Sequence, residues 1–153
     1  MSDVYLQKYC TFYLEDNYFG IEVEQVQEII RSQPITPVAL APVAIKGLIN
    51  LRGQIVTAVD LRKLLELPPR ESNVDLMNIV VSTNMGAYSL LVDRVGDVLE
   101  LANDCSEPPP ENIDGIARDL VRRAYKLDGQ LLLTMSLSTL LSPEVLDYQV
   151  EAA

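Results

Sequence analysis

Hydrophobic residues in this chain fall in short runs separated by turn-forming residues, which is the pattern of short β-strands rather than of long amphipathic helices. The clearest case is the segment 45–65, where two apolar runs flank Leu51-Arg52-Gly53-Gln54. These four residues predict a tight hairpin, because Gly53 can adopt the positive φ that such a turn needs. Asp60 follows as the predicted N-cap of a short helix with one leucine-rich face.

A second copy of this arrangement lies further along the chain. Leu127-Asp128-Gly129-Gln130 repeats the leucine, glycine and glutamine of the first hairpin, and apolar positions continue to Leu141. Another match relates 92–98 to 23–29, with apolar residues at the same three places and acidic residues at the same two. Because both matches occur in the same order, we infer that the chain contains an internal duplication.

The remaining elements are also short. Further strands are predicted at 9–14, 18–23, 78–82 and 88–92. The segment 26–30 is predicted to begin as a helical turn and continue as a strand, and the polar segment 102–119 is predicted to be a long loop. Since only brief helical turns interrupt the strands, the pattern favours an all-β fold.

The domain organisation follows from the clearest linker, the proline-rich segment 68–73, which separates predicted halves at 8–67 and 74–142. Five strands in each half would close two small β-barrels and remove exposed sheet edges. We expect the barrels to pack together as one domain over 1–153, and the pattern leaves open an exchange of strands between them. A short acidic tail is predicted over 143–153.

Charge and hydropathy exclude several classes of function. The 153 residues carry a net charge of −10, and no large Lys/Arg cluster suits nucleic acid. The same charge argues against anionic membrane surfaces, and no apolar run reaches the roughly 20 residues of a membrane span. Residues 1–67 hold six basic and eight acidic side chains, whereas 68–153 hold six and fourteen. A partner that responds to charge would therefore distinguish the two halves.

Residue types limit the chemistry as well. The chain has no histidine, which removes Ser-His-Asp and Cys-His catalysis, histidine metal ligands and a phosphohistidine role. No glycine-rich phosphate-binding motif is present. Cys10 and Cys105 are far apart and lack CxxC spacing, so we expect reduced thiols in a cytoplasmic protein without metal or cofactor. Catalysis would have to depend mainly on carboxylates, tyrosine or lysine.

At Ile45-Lys46-Gly47-Leu48-Ile49-Asn50-Leu51-Arg52-Gly53 the chain resembles the CheW family of chemotaxis adaptors. Supporting motifs within roughly 9–141 are Gly20-Ile21-Glu22-Val23, Val26-Gln27-Glu28-Ile29, Leu91-Val92-Asp93-Arg94-Val95 and Lys126-Leu127-Asp128-Gly129. The resemblance implies two five-stranded SH3-like β-barrels and no enzymatic activity. It also implies a coupling role, in which the protein links the cytoplasmic tip of methyl-accepting chemoreceptors to the histidine kinase CheA.

The resemblance further implies where the partners bind. One barrel would dock on the regulatory domain of CheA, and a groove between the barrels would take the receptor's helical hairpin. The predicted partner-binding residues are Val26, Glu28, Gly47, Asn50, Arg52, Gly53, Val95 and Val98. The implied protein has no cofactor, is a monomer when free, and is recruited from the cytoplasm to membrane receptor arrays through its partners.

Two positions depart from the family pattern. Arg123 stands where relatives often carry glycine, and Ser136 stands where relatives usually carry an acid or an amide. Both positions lie in the second half of the chain. The resemblance therefore defines the fold of the second half better than it defines which receptors that half would bind.

Several of these residues also have an ordinary structural interpretation. Arg52 is either a solvated side chain at a hairpin tip or a bidentate partner contact, for which a guanidinium is well suited. Val26, Val95 and Val98 fit core positions as well as apolar anchors in a groove. Gly47, Gly53 and Gly129 suit turns or close packing. Glu28 and Asp97 are a carboxylate pair or two solvated acids. Asp60 and Ser136, at equivalent positions, are predicted helix caps.

The alternative function is a carboxylate-based enzyme or a small-ligand-binding β-barrel. This alternative requires paired acids that converge in a pocket, and the sequence offers no convincing set of them. A flat apolar groove between the barrels would favour the adaptor. A deep pocket with carboxylates of raised pKa would favour the alternative.

Overall fold

The computed structural model of the chain describes residues 3–70, 75–113 and 115–146, so part of the predicted linker and most of the predicted acidic tail lie outside the described residues. The described chain forms two β-sheets with short helices at their ends, which confirms the all-β prediction. The predicted strand count is corrected, because one sheet has five strands and the other has six. Closure of the sheets into barrels is not among the described strand pairings and stays a prediction.

The six-stranded sheet contains strands from both ends of the sequence. Its strands are β1 (Leu6–Leu14), β2 (Asn17–Glu22), β8 (Arg94–Ala102), β9 (Ser106–Glu107), β10 (Val121–Leu127) and β11 (Gln130–Met135). They lie in the order β8-β1-β2-β11-β10-β9. Only β2 and β11 are parallel neighbours in this sheet, and the remaining described pairings are antiparallel.

The five-stranded sheet takes the middle of the sequence. Its strands are β3 (Val26–Arg31), β4 (Ile45–Leu51), β5 (Gln54–Asp60), β6 (Met77–Thr83) and β7 (Gly86–Val92). They lie in the order β3-β6-β7-β5-β4, with β5 and β7 as a parallel pair. The predicted strands are therefore present, with ends that differ by a few residues from those predicted.

The two sheets combine strands from both halves of the sequence. The hairpin β1–β2 joins strands of the second half, and the hairpin β6–β7 joins strands of the first half. Pairing registers repeat as well, since an irregularity between Ile45 and Gly47 of β4 is matched by one between Val121 and Arg123 of β10. The duplication seen in the sequence therefore extends to the backbone pairing.

The difference in strand number between the sheets is small. Thr36, in the segment after β3, forms an isolated antiparallel bridge with Leu48 of β4, with N···O distances of 2.9 and 2.8 Å. At the equivalent place in the other sheet, Glu107 of β9 pairs with Ala124 of β10 and Ser106 pairs with the next residue. One additional residue pair is therefore enough to turn an isolated bridge into a sixth strand.

Short helices follow the strands and contribute to the core. They are α1 (Leu61–Leu64), α2 (Ile116–Leu120), α3 (Leu137–Leu140) and α4 (Pro143–Leu146), with 3₁₀ turns at Val23–Gln25 and Asn103–Cys105. The predicted loop 102–119 is corrected by these assignments, because its described part contains a 3₁₀ turn, β9 and most of α2. The largest hydrophobic cluster lies between the two sheets and includes Phe12, Leu14, Leu61, Ile79, Leu90 and Leu140.

The two predicted helix caps behave differently. The Asp60 carboxylate accepts a hydrogen bond from the Arg62 backbone N–H at 3.0 Å, which confirms Asp60 as the N-cap of α1. Ser136 precedes α3, but its hydroxyl makes no capping hydrogen bond and instead lies 2.9 Å from the Ser138 hydroxyl. The two halves therefore share the position of the helix but not the chemistry of its cap.

Candidate partner-binding site

Arg52 and Gly53 form the turn of the β4–β5 hairpin, and both have positive φ, at 52° and 88°. Two consecutive positive φ values are typical of the type I′ turn, whose twist matches that of the flanking strands. Asn50 Oδ1 accepts a hydrogen bond from the Gly53 N–H at 3.0 Å and so supports the turn. The sequence predicted the positive φ of Gly53 but not that of Arg52.

The Arg52 side chain forms an ion pair with Glu28 of β3. Since β3 and β4 are the two outer strands of the five-stranded sheet, this pair connects opposite edges of that sheet. The Arg52 side chain nevertheless remains 67% exposed, whereas that of Glu28 is 25% exposed. Glu28 therefore holds the guanidinium in place and leaves much of it accessible to another molecule.

Gly47 is buried and lies against the segment that follows β3. A Cβ atom at this position would lie 2.3 Å from the Thr36 carbonyl oxygen and 2.6 Å from the Ile35 side chain. The position therefore requires glycine for close packing, which allows Thr36 to bridge to Leu48. A direct partner contact at Gly47 stays a prediction.

The three predicted valines divide between the core and the surface. Val26 and Val95 are half-buried and pack against the main hydrophobic core. Val98 lies on β8 and is 56% exposed. The structure thus brings Glu28, Asn50, Arg52 and Gly53 together at one end of the five-stranded sheet, and it places Val95 and Val98 on the other sheet.

Ile55 is an exposed residue of this region that the sequence analysis did not single out. It pairs with Asn50 across the hairpin and is 60% exposed, although the next residue, Val56, is fully buried. Strand alternation between these two residues was the signal that could have identified it. We refer to Glu28, Asn50, Arg52 and Ile55 together as the Arg52 surface.

A separate set of charged residues lies at the ends of β5 and β7. Asp93 accepts hydrogen bonds from the Arg62 Nε at 3.1 Å, the Arg70 Nε at 2.8 Å and the Glu15 backbone N–H at 2.7 Å. Arg70 also donates to the Asp60 carboxylate at 3.1 Å. Since Glu15 belongs to the β1–β2 turn, these five residues, the Asp93 cluster, connect the two sheets.

The Asp93 cluster bears on the carboxylate-enzyme alternative, because Asp60 and Asp93 converge on one guanidinium. Burial by itself raises the pKa of Asp93, but hydrogen bonds from Arg62 and Glu15 and the nearby arginine charges hold that pKa below its ordinary value. An acid catalyst would need a raised pKa. Within residues 3–70, 75–113 and 115–146, no group of three or more His, Cys, Asp or Glu side chains is placed to hold a metal ion.

The chain has a duplicated all-β fold with exposed side chains at one hairpin end. These two features place it in the class of β-sheet scaffolds. The model of the CheW-like domain matches residues 8–145, and the chain therefore belongs to that family. The family resemblance seen in the sequence is confirmed. No helix in the described part of the chain is both long and apolar enough to cross a membrane.

Individual relatives agree with this assignment. The chain is 32% identical over 140 residues to the chemotaxis protein CheW of Klebsiella aerogenes, covering 90% of this chain and 83% of that protein. It is 24% identical over 142 residues to the chemotaxis protein CheW of Treponema pallidum, with coverages of 89% and 82%. The crystal structure of the scaffolding protein TtCheW from Thermoanaerobacter tengcongensis gives a TM-score of 0.78 at 28% identity, covering 90% of this chain and 94% of that chain.

Proposed function

We propose that this protein is a non-enzymatic adaptor that couples chemoreceptors to the histidine kinase CheA. Family membership over residues 8–145 is the observation that carries the proposal. The relatives from Klebsiella aerogenes and Treponema pallidum are chemotaxis proteins, and the similar solved structure is a scaffolding protein. In this proposal the free protein is a cytoplasmic monomer, and its two partners recruit it to membrane receptor arrays.

The Arg52 surface is the proposed contact with the receptor tip. Its guanidinium is exposed, is oriented by Glu28, and can offer two parallel hydrogen bonds to a carboxylate or to carbonyl groups. Ile55 adds an exposed apolar side chain on the same hairpin. A helical partner with one acidic position beside an apolar stripe would complement both features.

Val98 is the proposed apolar anchor on the six-stranded sheet. Its side chain is 56% exposed on β8. On the same strand, Val95 is half-buried against the core and so holds β8 in place. An exposed valine on a rigid strand suits an amphipathic helix, because its rotamer freedom is already small. No observation in the described residues favours the carboxylate-enzyme alternative, since Asp60 and Asp93 are both engaged by guanidinium groups.

Binding to the two proposed partners tests the function directly. Calorimetric titration of the purified chain with a CheA regulatory domain of the same organism should give saturable binding, and so should titration with receptor cytoplasmic fragments. The interface expected with the kinase domain lies near the low end of specific sizes. The adaptor proposal would be refuted if the chain bound none of the CheA proteins and none of the receptor fragments of that organism.

Arg52→Ala separates partner binding from folding. The ion pair it removes is largely exposed and contributes only about 0–1 kcal/mol, so the variant should fold normally. If the guanidinium meets the receptor in a water-poor interface, receptor binding should weaken by roughly 2–5 kcal/mol while CheA binding is retained. Arg52→Lys should restore binding only partly, because an ammonium group keeps the charge but lacks the planar fork.

Asp128→Ala is the matched control, because Asp128 occupies the equivalent position of the second hairpin. It should leave receptor and kinase binding unchanged. Thermal unfolding measured on the same preparations shows whether each variant is folded. A folded Arg52→Ala protein that binds both partners with normal affinity would assign Arg52 to the solvated surface.

A further inference from the structure

A polar cavity of about 420 Å³ lies beside the start of α3, at the end of β10 that is remote from the second hairpin turn. Its lining includes the side chains of Tyr5, Tyr9, Arg122, Arg123, Ser136 and Ser138. Glu22 is the acidic residue in this lining, and Arg122 and Arg123 are the basic ones. None of the residues of the Arg52 surface lines this cavity, and neither does Val98.

The duplication relates this cavity to the Asp93 cluster of the first half. Ile45 opposite Val59 corresponds to Val121 opposite Met135, with the same irregularity in register after the first residue. By this correspondence Ser136 takes the place of Asp60, and Ser138 takes the place of Arg62. The cavity is therefore the second-half counterpart of a site where carboxylates and guanidinium groups neutralise each other.

In the first half, the site is completed by side chains of the chain itself. The Asp60 carboxylate receives the Arg70 guanidinium at 3.1 Å, and Arg62 and Arg70 both bind Asp93. Each carboxylate there has a cationic partner within hydrogen-bond distance. In the first half, therefore, the anions that the guanidinium groups bind are the chain's own carboxylates, Asp60 and Asp93.

In the second half, both the carboxylate of Asp60 and the guanidinium of Arg62 are replaced by serine hydroxyls, and the basic residues of the lining, Arg122 and Arg123, come from β10. Arg122 makes no hydrogen bond or ion pair with any other described residue, whereas Arg123 donates to the Ser106 hydroxyl at 2.9 Å and to its carbonyl at 3.1 Å. The Ser136 and Ser138 hydroxyls lie 2.9 Å apart, so one donates to the other and the accepting hydroxyl keeps its own proton as an additional donor. Hydroxyl and guanidinium donors are the groups that bind carboxylate and phosphate oxygens.

We propose that this cavity binds a small oxyanion, a carboxylate or a phosphate group, with Arg122 as its charge partner and the hydrogen-bonded hydroxyl pair of Ser136 and Ser138 as a donor. The bound group would take the place that the Asp60 carboxylate has in the first half. Its charge-assisted hydrogen bonds to Arg122 would supply most of the affinity. The proposal does not depend on the coupling function, because neither the Arg52 surface nor Val98 contributes a residue to this cavity.

Titration of the full chain with inorganic phosphate, and separately with succinate, tests the proposal. Both titrations are followed by ¹H–¹⁵N NMR at constant ionic strength maintained with sodium chloride. We expect saturable shifts of the amide signals of Arg122, Ser136 and Ser138 with at least one of the two anions. Saturation by phosphate alone would assign the site to phosphate groups, and saturation by both would assign it to oxyanions in general. No saturable shift with either anion would overturn the proposal.

Two variants and one control make the test specific. Arg122→Ala should weaken binding about tenfold or more, as expected when one charge-assisted hydrogen bond is lost. Ser136→Asp restores the carboxylate of the first half and should abolish anion binding by occupying the site from within. Arg94→Ala removes the same charge from β8, outside the cavity lining, and should leave the affinity unchanged.

The outcome with Arg122→Ala decides the proposal even if Ser136→Asp does not fold. Arg122 is exposed, so its truncation should leave the melting temperature close to that of the unmodified protein. Equal affinities of the unmodified protein and the Arg122→Ala variant would refute the assignment. An equal loss of affinity in Arg94→Ala would likewise show that only the overall charge of the protein was being measured.

Discussion

The two hairpins of the duplication differ at the residue that precedes the turn glycine. In the first hairpin, Arg52 and Gly53 both have positive φ, whereas in the second hairpin Gly129 has a φ of 74° and Asp128 does not have a positive φ. The first pattern is that of a type I′ turn and the second that of a type II turn. The duplicated sequence therefore keeps the strands and the glycine but changes the turn and the charge at its tip.

This difference in charge decides what each hairpin can bind within its own sheet. Arg52 forms an ion pair with Glu28 of β3. The counterpart of Glu28 in the other sheet is Asp97, also an acid, so Asp128 has no opposite charge at the equivalent position. An ancestral repeat can thus retain its backbone while one copy gains an oriented, exposed guanidinium and the other does not.

The base of each hairpin shows the same divergence. Gly47 of β4 permits the Thr36 carbonyl to approach so closely that a Cβ would lie 2.3 Å away. At the equivalent position of β10, Arg123 keeps its side chain and uses it to bind the backbone and hydroxyl of Ser106 in β9. In the first half, a close backbone approach at Gly47 joins β4 to the segment after β3. In the second half, hydrogen bonds from the Arg123 side chain join β10 to β9.

The largest effect is expected from Gly47→Ala, which would break the close approach found only in the first half. Its Cβ would collide with backbone atoms of Thr36 that cannot move without loss of the Thr36–Leu48 bridge. We expect the free energy of unfolding to fall by about 3 kcal/mol or more. Chemical denaturation measures this loss. Gly53→Ala is the control, because its Cβ would meet open space and should cost only about 1 kcal/mol.

Asp93→Asn tests whether the charged cluster of the first half contributes stability that its second-half counterpart lacks. The substitution leaves Arg62 and Arg70 without their shared carboxylate, at side-chain exposures of only 13% and 11%. We expect a loss of about 2–3 kcal/mol near neutral pH, somewhat below the usual cost of breaking a fully buried pair. Thermal unfolding of both proteins as a function of pH provides the measurement.

The pH dependence of this loss has a defined sign. Because the pKa of Asp93 is lower in the folded protein than in the unfolded chain, its contribution is fully present above the unfolded pKa, about 3.9. The contribution declines as the pH falls through the folded pKa. The stability difference between the unmodified protein and Asp93→Asn should therefore be constant near neutrality and shrink below about pH 4. A difference that grows with acidification would contradict this account.

Gly53→Val and Gly129→Val compare the two turns directly. Neither Cβ would meet a neighbouring atom within 4 Å, so the cost arises from positive φ alone. A β-branched residue resists this conformation, and each variant should lose about 1–2 kcal/mol. Two melting temperatures lowered by similar amounts are expected. A loss in only one variant would show that the glycines of the two hairpins are not equivalent.

The smallest effect is expected from Asp128→Arg, which gives the second hairpin the charge of the first. If the two sheets are equivalent here, the new arginine should pair with Asp97 and stabilise the protein by about 0.2–1 kcal/mol. A double-mutant cycle with Asp97→Asn measures this coupling, and added salt should reduce it. Zero coupling at low salt would show that the hairpin tip does not approach β8 as Arg52 approaches β3.

Sequence alone determined the local elements of this protein. Short apolar runs, turn residues and the repeated Leu-x-Gly-Gln motif identified the strands, both hairpins and the internal duplication. Strand periodicity and turn chemistry are local properties, which is why they can be read without a structure. The Asp60 cap was predictable for the same reason, since a capping residue bonds to backbone N–H groups only two or three positions away.

Only the tertiary structure decided how these elements combine. The distribution of strands between sheets, the pairing of Arg52 with Glu28, the positive φ of Arg52 and the convergence of Arg62 and Arg70 on Asp93 join residues distant in sequence or set by their surroundings. Gly47 was recognised as a possible packing glycine, but its neighbour Thr36 was not. Such contacts depend on which strand edges meet, and no local pattern encodes that choice.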